Sequence, residues 1–148
     1  MATVTESVDV HVPLHTAYNQ WTQFEEFPRF MEGVEEVHQM DPTHVHWKTR
    51  IGGVEREFDT EIFEQQPDER VAWRSTSGPD QVGVVSFQPI TDADTRVTMQ
   101  MEWTPEGFAE KAGSLMQLDD RRVHGDLERF KEFIEARGTE TGAWRGEV

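Results

Sequence analysis

Val8, Val10 and Val12 alternate with polar residues near the start of the chain, and with Val4 they mark a first strand over Thr3–Val12. Pro13 then suits the first turn of a helix, where its missing N–H is not needed. Leu14, Ala17, Tyr18 and Trp21 follow at helical spacing. A second short helix is expected over Phe24–Met31, with Pro28 marking either a break or a first turn within it. From Val34 the period becomes two. Val34–Met40 stops at the turn signal Asp41-Pro42. His44–Ile51 puts Val45, Trp47, Thr49 and Ile51 on one face and His44, His46, Lys48 and Arg50 on the other. Gly52-Gly53 supplies a hairpin turn into a strand where Val54, Arg56, Phe58, Thr60 and Ile62 oppose Glu55, Glu57, Asp59 and Glu61. Arg70–Ser75 and Gln81–Gln88 are two more strands, and Val97, Met99, Met101 and Trp103 share one face of the last. Seven half-polar strands at hairpin spacing describe an antiparallel sheet with one solvated face.

Pro105 begins an amphipathic stretch whose apolar stripe includes Phe108, Ala112, Leu115, Met116, Val123, Leu127, Phe130 and Ile134. Unbroken to Arg137 it would be roughly 50 Å long, more than so small a domain needs, so a break is expected near Gly113. Gly138 is a suitable stop. The fold class is therefore α+β: a seven-stranded antiparallel sheet, two short helices after the first strand, and a long C-terminal helix. The sheet is expected to curl around that helix so that both apolar faces are buried. Residues 1–138 form one expected domain. Thr139–Val148 is a tail with Trp144 as its only large apolar residue, either docked through that ring or loose.

The order strand, two short helices, six strands, long helix is that of the helix-grip fold, and the residues sharpen the likeness. Trp21–Met40 (WTQFEEFPRFMEGVEEVHQM), His46–Trp73 and Asp126–Gly138 (DLERFKEFIEARG) resemble the polyketide cyclase/dehydrase branch of the START-like (SRPBCC) superfamily, which also holds coenzyme Q-binding proteins. The resemblance covers Thr3–Gly138, nearly the whole chain. It implies a cavity between the long helix and the concave sheet face, roofed by the short helices. The family it implies is functionally mixed, with aromatic polyketide cyclases, lipid and quinone carriers and members of unknown role.

Composition narrows the function by exclusion. The net charge of −15 over 148 residues leaves no basic stripe for nucleic acid, and it disfavours anionic membrane surfaces. A solvated acidic surface that keeps the protein soluble is the plain reading; a salt-adapted host or a basic partner are the others. No apolar run of membrane-spanning length and no basic-then-apolar leader is present, so a cytoplasmic protein without membrane insertion is expected. With no cysteine there is no disulfide, thiolate nucleophile or thiolate metal ligand.

The expected cavity lining is Phe27, Phe30, Met31, Trp47, Phe58, Trp73, Phe87, Met99, Met101, Trp103, Phe108, Leu115 and Met116, a set rich in Trp and Met that otherwise simply fills the core. Two charged residues stand where the pattern calls for apolar ones. Arg56 shares a strand face with Phe58 and Ile62, and Asp119 lies on the helix stripe between Met116 and Val123. Either they orient a ligand's polar groups, with Asp119 as acid or base, or Arg56 reaches the cavity mouth and Asp119 faces solvent; they can also pair with each other. His44 and His46 alternate on one strand face without a third ligand, so no metal site is read there. No cofactor is implied.

Three functions follow. The first is binding of a hydrophobic or aromatic small molecule, such as a lipid, quinone or polyketide, in the cavity. The second is a cyclase or dehydratase that templates a polyketide-like chain without metal or covalent nucleophile, with Asp119 moving the proton and Arg56 facing a developing oxyanion. The third is a protein-interaction module with a residual cavity. The exposed sheet edges allow a homodimer.

Overall fold

The computed structural model describes residues 2–31, 33–51, 53–77, 81–103, 120–144 and 146. Among these residues seven strands are present: β1 (Ala2–Val10), β2 (Val34–Asp41), β3 (His44–Ile51), β4 (Val54–Gln66), β5 (Arg70–Ser75), β6 (Gln81–Thr91) and β7 (Asp94–Trp103). They form one antiparallel sheet in the order β1-β7-β6-β5-β4-β3-β2. Strands two to seven are therefore a meander, and β1 closes against the last of them. The first two strands lie at opposite edges, so the chain between them must cross a face of the sheet.

That crossing is made by the two short helices. Helix α1 (Leu14–Trp21) starts where Pro13 offers its carbonyl to the N–H groups of Thr16 and Ala17, at 3.0 and 3.1 Å. The next element, Phe24–Arg29, is a 3₁₀ helix. The reason is in the spacing: Phe24, Phe27 and Phe30 recur every third residue, and three residues per turn stack them on one face, where all three are buried. Pro28 sits inside it, giving up an N–H that a longer α-helix would need. The C-terminal helix α2 is described over Asp120–Arg137. Its buried residues Val123, Leu127, Phe130 and Ile134 step by four, three and four, one stripe of an amphipathic helix. Gly138, with φ of 75°, ends it in the left-handed conformation, and its N–H bonds to the Ile134 carbonyl at 2.9 Å. The expected break near Gly113 lies outside the described residues. Among the described residues no helix is long and apolar enough to cross a membrane.

One expectation is corrected. The sheet does not curl around the C-terminal helix: it is open, its edges β1 and β2 do not meet, and it is not strongly curled. Geometry explains the difference. Seven strands at about 4.8 Å spacing span roughly 29 Å, whereas one helix covers about 10 Å. A sheet covered by a single helix would have to wrap. Here α2 packs against β1, α1 against β6 and β7, and the 3₁₀ helix against β2, so the helical layer is spread across the face. The core between the layers is aromatic, centred on Trp21, whose ring meets Phe27, Phe30, Phe87 and Phe130 at centroid distances of 5.3, 6.4, 6.5 and 5.0 Å.

Candidate functional site

The described residues enclose a small hollow between the 3₁₀ helix and the sheet, lined by Phe24, Phe27, Val45, Trp47, Thr60, Ile62 and Trp73. Its volume of about 10 Å³ is room for about one water molecule. Each wall residue is placed by a simple rule. Phe24 and Phe27 come from the three-residue repeat. Val45 with Trp47 and Thr60 with Ile62 occupy inward positions of β3 and β4, two apart. Trp73 is the register partner of Ile62 on one side and of Gly83 on the other.

The chemistry of the wall is carbon. Thr60 is its one polar side chain, and the Trp47 indole donates to that hydroxyl at 2.8 Å. The Trp47 ring also lies nearly parallel to Phe58, 8° between planes at 6.1 Å, and meets Phe27 at 5.7 Å. Trp47 and Trp73 are only half-buried, so these two rings form the outer part of the wall. Gly83 sets the lie of the Trp73 ring: a Cβ there would come within 2.4 Å of the indole and 2.8 Å of Met101 Sδ. The indole rests directly on the glycine backbone.

Of the residues expected to line the cavity, Phe27, Trp47 and Trp73 meet in this wall. Phe30, Met31, Phe58, Phe87, Met99 and Met101 are buried elsewhere between the layers. Phe108, Leu115, Met116 and Asp119 lie outside the described residues, as does the side chain of Trp103. Phe24, Val45, Thr60 and Ile62 join the wall without having been singled out, although parity with Trp47 and Phe58 points to the last three. Arg56 pairs across β3–β4 with Thr49 and shares the inward parity of Phe58, but it does not line the hollow. Its Nε is buried and, among the described residues, has no hydrogen-bond partner. An Nε–H so placed is a donor without an acceptor.

On the opposite face of the same hairpin His46 is held between two carboxylates, its Nδ1 against Asp59 and its Nε2 against Glu57 at 3.2 Å. His44 sits against Asp41 at 2.9 Å. The hydrogen bond to Asp59, then that to Glu57, raises the His46 pKa above the ordinary histidine value; Asp41 does the same for His44. Both rings thus hold a proton more tightly folded than unfolded. The stability this linkage adds is complete below the unfolded pKa near 6.5 and is lost as pH rises through the folded value. The urea midpoint is expected to fall as pH is raised from about 6, and His46→Gln should flatten the fall. Equal slopes in the two proteins would contradict the linkage.

Comparison with known proteins places this geometry. The sequence profile of the family described as "Polyketide cyclase / dehydrase and lipid transport" matches residues 10–132. A Streptomyces lincolnensis protein, described as an uncharacterized 17.2 kDa protein in the melC2-rnhH intergenic region, is 54% identical over 149 residues, 100% of this chain and 99% of its own. Among solved structures, TTHA0849 from Thermus thermophilus aligns at TM-score 0.76 and 19% identity, over 93% of this chain and 100% of that one. The Zhui aromatase/cyclase from a Streptomyces species aligns at 0.75 and 13%, over 97% and 99%. A START superfamily protein from Mycobacterium smegmatis aligns at 0.69 and 14%, over 91% and 95%. At these identities the solved structures bear on the fold alone.

Proposed function

The chain belongs to the polyketide cyclase/dehydrase and lipid-transport family, within the START-like helix-grip superfamily, and from that premise we propose that it binds a hydrophobic or aromatic small molecule, lipid-, quinone- or polyketide-like, between the sheet and its helical layer. The observation that carries the reading is the carbon wall of the hollow. The wall's one polar side chain, Thr60, already accepts from Trp47, so water inside finds fewer than the two to four partners it needs, and an apolar group is the favoured occupant. At its present size the hollow admits no organic ligand, and binding works by parting the half-buried Trp47 and Trp73 rings.

A second reading, cyclisation or dehydration of a polyketide-like chain between the sheet and its helical layer, is favoured by Arg56. Its buried, unpartnered Nε faces inward two residues from Phe58, where it would meet a developing oxyanion. In this reading Asp119 moves the proton. The test is native mass spectrometry of the protein as purified, followed by organic extraction and calorimetric titration with the recovered compound. A stoichiometric hydrophobic adduct is expected. If the compound carries a carboxylate or phenolate, Arg56→Met should weaken it by about 10- to 100-fold, the worth of a charge-assisted hydrogen bond, and leave a neutral analogue unaffected. A clean apo mass, with no binding across fatty acids, quinones and polycyclic phenols, would overturn the proposal.

A further inference from the structure

Three polar side chains are buried at the C-terminal end of α1: Asn19 is 7% exposed, Gln20 0% and Thr22 2%. Polar groups do not stay buried without partners; Thr22 donates to the Asn19 carbonyl at 2.6 Å and accepts from Gln23 at 3.0 Å, and further partners come from beyond α2. Gln20 and Thr141, 121 positions apart, make a two-point pair: Gln20 Nε2 donates to Thr141 Oγ1 at 3.0 Å, and Gln20 Oε1 accepts from the Thr141 N–H at 2.8 Å. Asn19 Nδ2 donates to Glu140 Oε2 at 2.8 Å, and the Trp144 N–H donates to Thr22 Oγ1 at 3.1 Å. Gly142 passes so close to Gln23 that a Cβ would meet its Oε1 at 2.7 Å. Segment 139–144 is thus strapped across the junction of α1 and the 3₁₀ helix.

That junction leads straight into the hollow, for the 3₁₀ helix supplies Phe24 and Phe27 to its wall. The strap leaves α2 at Gly138, whose positive φ is a backbone conformation that gives a chain a sharp change of direction. We propose that segment 139–144 is a latch: by hydrogen bonds it pins the end of α1, from which the 3₁₀ helix departs, and so keeps that helix against the sheet, and its release opens the hollow to a ligand. Hydrogen bonds suit a latch, because water replaces them on opening, whereas apolar contacts would have no substitute. The opening role rests on the small-molecule reading; the hold on the helix does not.

The experiment separates the two. Thr141→Pro removes the backbone donor and the hydroxyl while leaving every core residue native, and Gln20→Met drops the same pair from the other side with its bulk kept. In both full-length variants the amides of Phe30 and Met31, which bond to the Phe27 carbonyl at 3.1 and 2.8 Å, are expected to exchange with deuterium about tenfold faster or more, with β5–β7 amides unchanged. The association rate of anilinonaphthalene sulfonate should rise in parallel. Unchanged exchange at Phe30 and Met31 in both variants would overturn the latch, and faster exchange with an unchanged association rate would overturn its opening role. Faster exchange with no probe binding to any of the three proteins would remove the small-molecule reading and the opening role together, leaving the strap's hold on the helix supported.

Discussion

Trp21→Ala is expected to cost about 3–5 kcal/mol of folding stability, read as a lower urea midpoint at unchanged slope. Trp21 is 1% exposed, and its indole is the one ring that touches Phe27 and Phe30 of the 3₁₀ helix, Phe87 of β6 and Phe130 of α2. Alanine would leave a cavity lined by four phenyl rings that are fixed on three separate elements and cannot all collapse into it. Against a total of about 5–15 kcal/mol, such a loss brings the protein close to unfolding. Trp21→Phe should behave differently. The buried indole Nε1 has no hydrogen-bond partner among the described residues, so the smaller ring gives up packing but no hydrogen bond. Its expected cost is under about 1.5 kcal/mol. Equal losses in the two variants would show that the indole nitrogen, and not the ring volume, holds the core.

Gly83→Ala is expected to destabilise the protein by about 1–3 kcal/mol and to abolish ligand uptake. A glycine-to-alanine change in a strand usually gains about 0.4–1 kcal/mol by restricting the unfolded chain. Here the steric term is larger, because the new Cβ falls 2.4 Å from two atoms of the Trp73 indole, inside the 3.0 Å that real Cβ contacts essentially never cross. Met101 can yield, since its thioether is flexible. The indole cannot bend, so it must lift off the sheet towards the hollow whose wall it forms. Trp73→Leu in the same chain removes the clash. A double-mutant cycle by urea unfolding should therefore show a coupling of about 1 kcal/mol or more, Gly83→Ala costing far less beside leucine than beside tryptophan. Additive losses would mean that the ring does not lie on Gly83.

The sequence carries the strands and the aromatic half of the hollow because both are written in spacing. A strand that buries one face must alternate, and the two-residue parity that groups Val45 with Trp47 also groups Thr60 with Ile62 and Phe58. The 3₁₀ helix is legible in the same way, from Phe24, Phe27 and Phe30. Three features leave no such trace. A bulge in β4 between Ile62 and Glu64 turns Gln65 inward, 1% exposed, to donate to the Tyr18 hydroxyl at 3.1 Å, where strict alternation would have pointed Glu64. That the sheet stays open depends on how several helical pieces share one face, a matter of long-range packing. Half of the strap's hydrogen bonds come from its own backbone, the N–H groups of Thr141 and Trp144, and backbone donors look alike in every sequence.

The place of β1 in the sheet governs when the fold can be completed during synthesis. The ribosome makes this strand first, yet every rung of its ladder is with β7; Asp9 and Arg96, paired in that ladder, are 87 positions apart. Strands two to seven can zip up as successive hairpins while they emerge, at small loop-closure cost. The leading strand has no neighbour in the sheet until β7 is made, and then closes the longest loop in the sheet. Until β7 is made its valines are an unsatisfied β segment, the kind of surface that chaperones cover. The C-terminal helix packs on β1, and Lys131 bonds the Asp9 carbonyl at 2.8 Å, so an element made after all seven strands supplies the cover for the first of them.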